Sequence, residues 1–351
     1  MSDTNNTPQD RIRIFNREGL PVAEFRAAVE RSWAIGEEGR AFFEYASRKT
    51  DIVNDTVLRF GNWLLVENDS LPPWVGVIDT PRKWGMREVQ VFAYGPERVF
   101  GWRRGVPEEK LNNTAGGTFE YLLKLINTEE QTILRPGEIW RESNAFETTI
   151  NPDPLSNYLS DLSERVRGEY AWRPVVGDNG RLIVYADWFA NIGEDTDGLL
   201  HEGIDGGNIE AVGNVMVEDG DIINDFLAIG DGLTWSSRPT AHRKDNESLE
   251  RYGLRQAAEE YSGVSEQSTL RNHAKDKLAD FSEPARTFHL NAINKSNTFQ
   301  YLSLGNRMTL QFQSIGFIDS GTGYQTQIRI LGMSYNPELK NVVELVVEEV
   351  R

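Results

Sequence analysis

Cysteine is absent from the 351 residues. That removes a disulfide framework, thiolate metal sites and cysteine nucleophiles together, and it leaves the redox compartment open. Positive charge is scarce: 37 Lys and Arg face 54 Asp and Glu, for a formal net charge of −17. Such acidity argues against a protein that grips nucleic acid through its phosphates, which requires clustered Lys and Arg. It does not argue against one that lets nucleic acid pass without holding it. No apolar run approaches the ~18 residues of a membrane-spanning helix, so no membrane span is expected. The polar stretch from Met1 to Asp10 lacks the basic-then-apolar pattern of a signal peptide, and residues 1–9 are expected to form a flexible tail.

Recognisable catalysts are missing too. The four histidines, His201, His242, His273 and His289, lie far apart and none pairs with another at i+4, so no zinc site is expected. In the acidic loop from Gly193 to Gly198, counting Asp195 as the first calcium-loop position puts Leu199 at the fifth and Gly206 at the twelfth. Neither side chain supplies the oxygen those positions need, and this loop, like Asp219-Gly220-Asp221, reads as a solvated turn. There is no P-loop, no complete GxGxxG and no GxSxG; Gly321-Thr322-Gly323 is a hairpin turn signal. Carboxylates are abundant, but a glycosidase pair is defined in space and cannot be read from abundance. Of the nine tryptophans, Trp63, Trp74 and Trp188 sit in strand-like apolar segments, which favours core packing over a sugar platform. No catalytic, cofactor-binding or metal-binding residue is assigned.

What the chain does have is enough apolar and aromatic material, 39% and 10%, to build real cores. Its length suits two or three packed units. The first hundred residues read as short strands split by Gly and Pro: 11–16, 41–46, 62–68, 74–79 and 87–94. Helical spacing then appears at 118–127, with Phe119, Leu122, Leu123 and Ile126 on one face. A second helix opens at Asp153-Pro154, carries Leu155, Tyr158, Leu159, Leu162 and Val166 on one face, and ends at Gly168. Residues 181–188, 213–219 and 226–232 read as strands, about 248–261 and 268–281 as helices, and everything after Pro284 as strands again.

One internal similarity stands out. Trp74 to Thr80 resembles Ser314 to Ser320, with Gly76 matching Gly316 and Asp79 matching Asp319. Each segment leads through an aromatic (Trp84, Tyr324) into a strand, 89–94 or 328–333, and on to a Pro-Glu pair, Pro96-Glu97 or Pro337-Glu338. The offset is 240 at the glycines and 239 at the strands, as duplicated domains would leave. Two unrelated hairpins would share some of these features, so chance resemblance stands beside duplication. The expected fold class is mixed β and α/β: two similar antiparallel β-barrel-like domains, an intervening α/β region, and helices inserted in the second half. The expected divisions are 10–104 for the first barrel, 105–199 with 236–286 for the α/β region, and 200–235 with 287–351 for the second barrel.

Taken in order, these segments resemble the central hub proteins of phage tail tips and contractile-phage baseplates over roughly residues 10–351. The match rests on residues 74–104, the 118–127 helix, the Pro154-Leu155 helix with its exit at 168–174, and segments 199–212, 245–255 and 268–284. A last strand set, opening at Leu302, completes it. The resemblance implies a homotrimeric structural virion protein without enzyme activity or cofactor, placed at the tail tip and assembled in the host cytoplasm. Its implied partners are a distal tail protein or tail-tube ring, a tape-measure protein, and tip fibre or spike proteins, with DNA passing through unbound. Three chains with two similar barrels each offer six modules, which fits a threefold tip to a sixfold tube. Acidity then reads either as a conduit wall that repels phosphate or as a device for solubility. The sequence ends at Arg351 just after the final strands, so receptor binding or wall digestion is expected from other polypeptides. A peptidoglycan hydrolase, on the carboxylates, and a carbohydrate-binding adhesin, on the tryptophans, are the competing readings.

Overall fold

The computed structural model describes residues 10–46, 56–79, 83–84, 88–106, 109–141, 146–166, 168–202, 207–210, 216–219, 221–261, 263–284, 286–312, 323–339 and 341–350. The expected tail at 1–9, the turn at Thr80-Pro81-Arg82 and the segment Ser314 to Ser320 lie outside the described residues, and with them Gly316 and Asp319. The fold is mixed β and α/β, mostly sheet, with five α-helices among the described residues.

The first half-sheet holds β1 (Asp10–Phe15), β2 (Pro21–Ala27), β3 (Val29–Ala34), β4 (Arg40–Ala46), β5 (Trp63–Glu67), β6 (Trp74–Ile78), β7 (Lys83–Trp84) and β8 (Glu88–Tyr94). Its strands run in the order β3-β4-β8-β6-β5-β1-β2. The apolar runs at 63–66 and 74–78 do not alternate because both faces of these strands are buried. Leu64, Val66, Trp74 and Ile78 enter a core on one face with Ile12, Ile14, Phe43 and Val91. Trp63, Leu65, Val75 and Val77 enter a second core on the other. Gly76 lies between them because a Cβ there would sit 2.2 Å from the Tyr94 carbonyl oxygen.

That second core is supplied by the next stretch of chain. It contains α1 (Glu97–Gly101), β9 (Glu109–Asn113), α2 (Ala115–Ile126), β10 (Leu134–Ile139), β11 (Phe146–Ile150), α3 (Leu155–Arg165), β12 (Glu169–Val176) and β13 (Leu182–Phe189). Strands β10 and β12 flank β13, and β9 pairs with β11. The four apolar residues read from the 118–127 periodicity are all buried on α2, alongside Leu155, Tyr158, Leu159 and Leu162 of α3. Helix α2 begins earlier than its periodicity implies, at Ala115, where the Thr114 hydroxyl accepts the Gly117 amide at 3.1 Å. In α3, Pro154 is the N-cap and Leu155 the first helical residue.

The second half-sheet contains β14 (Asp195–His201) and β15 (Met216–Asp219). A separate small sheet follows, with β16 (Asp225–Ile229), β17 (Thr240–Lys244), α4 (Asn246–Tyr252), β18 (Gln256–Glu260) and α5 (Gln267–Phe281). The chain then returns through β19 (Arg286–Ile293), β20 (Arg307–Phe312), β21 (Tyr324–Tyr335) and β22 (Val342–Glu349). Strands β19, β20 and β22 alternate cleanly, burying Phe288, Leu290, Met308, Leu310, Val343 and Leu345 in one core.

Three expectations shift. The helix read over 248–261 ends at Gly253, whose φ of 73° suits glycine, and the chain continues as strand β18, parallel to β16. Residues 225–229 pair with β17 and β18 rather than with the second half-sheet, because Phe226 and Ala228 pack on Leu270, Ala274 and Leu278 of α5. Strand β14, read with the α/β region as far as residue 199, pairs in parallel with β20.

The half-sheets are joined edge to edge. Strand β21 pairs antiparallel with β3 from Gly332↔Ala34 to Tyr335↔Arg31, making one 14-stranded sheet whose main path ends at β15 and β2. No ladder closes into a barrel among the described residues. At the junction, the Arg31 guanidinium lies 2.7 Å from the Asp10 carboxylate, both side chains fully buried, and stands over the Tyr335 ring at 4.8 Å. Asp10 also accepts from the Val29 amide at 3.2 Å and from Asn68 at 2.8 Å.

A second buried contact ties α1 to β12. Glu97 is 8% exposed; the Trp172 indole donates to its Oε1 at 2.6 Å, and its Oε2 is buried without a hydrogen-bond partner. Burial pushes its carboxyl up to about 7, against the Trp172 hydrogen bond and with help from the nearby Glu38 charge.

Two outcomes follow from these junctions. Asp10→Ala strands a buried guanidinium and should cost about 3–5 kcal/mol in chemical denaturation, whereas Asp10→Asn with Arg31→Met should recover most of that loss. A loss below about 1 kcal/mol in the single variant would overturn the assignment. Because Glu97 holds its proton more tightly in the folded state, its contribution is full below its ordinary value of 4.5 and is lost as pH rises to about 7. Wild type should lose about 3 kcal/mol across that window relative to Glu97→Gln; parallel stability curves for the two proteins would refute it.

Candidate functional site: the cleft beside the junction

Beside the β3–β21 junction a cleft of about 1040 Å3 opens between the central helices and the small sheet. The turn after β3 contributes Gly36 and Glu37, the end of α3 contributes Glu164 and Arg165, and α5 contributes the run from His273 to Phe281. Strand β21 adds Arg329, and the end of β22 adds Glu348 and Glu349. Eight Asp or Glu line it against four Lys or Arg. Two aromatic side chains in the lining, Trp140 and Phe281, are partly exposed.

Ion pairs hold the walls together. Arg329 binds Glu169 at the start of β12 and donates to the Ile192 carbonyl at 3.3 Å, while Glu169 accepts the Ile192 amide at 2.8 Å. This set links the second half-sheet to the central α/β region. Lys277 of α5 sits 3.1 Å from Glu259 and 4.9 Å from the Phe281 ring centroid, so its stem covers apolar surface while its charge meets β18.

His273 is 5% exposed and stacks on Tyr261 at 4.3 Å with the rings nearly parallel. Its Nδ1 lies 3.1 Å from the Arg165 carbonyl, which fixes the proton on Nδ1 and leaves Nε2 as an acceptor without a partner. Burial pushes its pKa below the ordinary value, and the same burial raises that of the Tyr261 hydroxyl. The pair is therefore a neutral, stacked brace for the cleft wall.

The other histidines fall elsewhere, His201 on β14, His242 on β17 and His289 on β19. His242 and Lys244 both meet Asp225, at 2.6 and 2.7 Å, and hold that carboxyl at about 2, Lys244 having the larger effect. Asp195, the candidate first calcium position, pairs with Arg307 at 3.2 Å, and residues 195–201 run as strand. Among the described residues, no group of three His, Asp or Glu could hold a metal ion. Trp63, Trp74 and Trp188 are core residues, as their apolar surroundings implied. Sequence reading did not single out the cleft, whose walls come from nine separate stretches, nor Trp235, which is 70% exposed.

No protein-family model matches the chain, and no curated protein matches it. Solved structures do. A tail protein from Neisseria meningitidis MC58 superposes with a TM-score of 0.61 at 13% identity, over 97% of this chain and 96% of that one. Prophage tail protein gp18 from Listeria monocytogenes EGD-e gives 0.59 at 12% identity, over 96% and 94%. The E. coli c3393 protein, a type VI secretion component described as similar to the T4 tail proteins gp27 and gp5, gives 0.50 at 10% identity, over 99% and 76%. At these identities the likeness is one of fold, and it runs nearly end to end: the chain has the fold of these phage tail proteins.

Proposed function

We propose that this chain is a structural hub of a phage tail tip or a related tail-like injection machine. Three copies surround an axis, dock on a sixfold tube ring, and leave a channel through which DNA passes. The observation that carries the reading is the end-to-end likeness to prophage tail proteins, which covers more than nine-tenths of both chains in the Neisseria and Listeria cases. The edge-to-edge junction supports it, since β3 and β21 fuse two half-sheets into one wall within each chain. The two half-sheets are the proposed hub domains, with the central α/β region and the small sheet as attachments.

On this reading the chain works by shape and charge rather than by chemistry. Each phosphate neutralised by Lys or Arg releases counterions and tightens binding, so a basic lumen would trap the genome in transit. At −17 per chain, three copies present a surface that repels phosphate within the ~8–10 Å reach that salt allows. Distal tail, tape-measure and fibre or spike proteins are the proposed neighbours, and the tail tip of the virion is the proposed location.

Reconstruction of the assembled tip should show three copies around the axis; two or six equivalent copies would overturn the proposal. The same map should show an axial wall free of Lys and Arg rings, with Arg103 held outward by Glu130, which it meets at 2.8 Å. A ring of basic side chains facing the axis would remove the conduit role.

A further inference from the structure

The Glu97–Trp172 contact belongs to a second cavity, of about 590 Å3, where the first half-sheet, the central α/β region and the second half of the molecule meet. Strand β3 contributes Trp33, the start of α1 contributes Glu97, β12 contributes Trp172 and the end of β13 contributes Phe189. The segment between β19 and β20 adds the share of the second half. The volume falls within the ~300–1,000 Å3 of ordinary ligand pockets.

Its charges are all of one sign. Glu37, Glu97 and Glu194 line it, and no Lys, Arg or His does. Glu37 and Glu194 are exposed, and neither makes an ion pair among the described residues. Basic residues on the surrounding elements are already committed: Arg31 to Asp10, Arg98 to Asp79, Arg173 to Asp187 and Arg329 to Glu169. Arg40, beside Gly39, lines a neighbouring cleft instead.

Glu97 is the group that lacks a partner. Its side chain is 8% exposed; Oε1 accepts the Trp172 indole, and Oε2 is buried with no hydrogen bond. A Cβ on Gly95 would sit 2.1 Å from Oε2, so only glycine leaves room beside that oxygen, and Gly95 itself lines the cavity. A buried acceptor without a donor is costly, and a charged donor entering the cavity would offset that cost. Around it Trp33, Trp172 and Phe189 are partly exposed, and aromatic faces attract cations. Carboxylates among aromatic walls suit an organic cation, whereas a metal ion demands several oxygens at once. Three carboxylates also disfavour an anionic guest.

We infer that this cavity binds an organic cation, an ammonium or guanidinium group on an apolar stem, with Glu97 as its counter-ion and Trp33, Trp172 and Phe189 as its walls. The exposed Glu37 and Glu194 attract the cation from solution. The site lies within one chain and stands apart from the hub reading.

The test titrates pentylammonium into the full chain and follows the indole N–H signals of isotope-labelled tryptophan by NMR, with pentanol as the neutral probe. The Trp33 and Trp172 signals should move with the ammonium and not with the alcohol. The cation selects ionised Glu97, whose carboxyl burial and the Glu38 charge hold up to about 7. Affinity should therefore rise about tenfold between about pH 6 and pH 8. In Glu97→Gln, affinity at the higher pH should fall about tenfold or more and its pH dependence should vanish, with the other indole signals unchanged. Equal binding of the alcohol, no response to the ammonium, or pH-independent binding by wild type would each overturn the inference, and all three are read without the variant. Lysine and arginine capped at both backbone ends separate the sources of the cation. Binding of either as tight as that of pentylammonium assigns the site to a side chain of a neighbouring polypeptide; binding of pentylammonium alone assigns it to a free amine.

Discussion

The short ladder between β3 and β21 is the constraint on which the rest of the structure depends. Every other strand pairing described lies within one half of the molecule or within an attachment. Here alone do residues near the start of the chain hydrogen-bond in a ladder with residues near its end. The ladder is reinforced from inside by a charge pair that water does not reach, Arg31 with Asp10, under the ring of Tyr335. A buried ion pair contributes little net stability compared with apolar packing, but it penalises any register that leaves either charge alone. Its effect is therefore to fix how the two half-sheets meet, and that angle sets the walls of the cleft beside them.

The attachments follow from how much apolar surface the first half-sheet exposes. Strands β5 and β6 are apolar at nearly every position, so a single-sided core could not satisfy them. Helices α2 and α3 with the sheet of β10, β12 and β13 cover the outer face and form a core around Phe119, Trp188 and Leu122. The small sheet with α5 has its own core and meets the remainder through polar contacts: His273 donates to the Arg165 carbonyl, the Arg165 guanidinium lies 5.9 Å from the Tyr261 ring centroid, and Ser265 donates to Glu147 at 3.2 Å. A fused centre thus carries an outer unit with a core of its own, and the exposed Trp235 belongs to that outer unit.

Much of this was legible in the sequence wherever periodicity was strong. The helical faces of α2, α3 and α5, strands β1, β4, β5, β6 and β8 of the first half-sheet and strands β19 to β22 of the second are legible in the apolar pattern, because burial forces that pattern. Strands β2, β3, β9, β10, β17 and β18 are not, since each is short or largely exposed and carries little apolar pattern. The helix expected over 248–261 is borne out only as far as Tyr252 and shows the same limit: Gln256 to Glu260 has good helix formers, and Gly253 and the pairing with β16 make it a strand. The cleft was illegible for a different reason. Its carboxylates and its histidine come from stretches separated by the whole fold, so no local motif announces them. The whole-chain order of segments carried the fold likeness further than any single motif did.

The distance along the chain between the two partners of the central ladder has a consequence for synthesis. Residue 31 leaves the ribosome some three hundred residues before residue 335, which at ~5–20 residues per second is roughly 15–60 seconds. During that interval β3 is a strand with an open edge, the kind of surface that pairs with whatever strand is nearest. Its polar residues limit that hazard: Glu30 is exposed, and Arg31 and Ser32 interrupt the apolar pattern. A chain cut short before β21 would keep most of its first half-sheet yet lack the ladder that fuses it to the second. The fused sheet therefore forms only once β21 has been made.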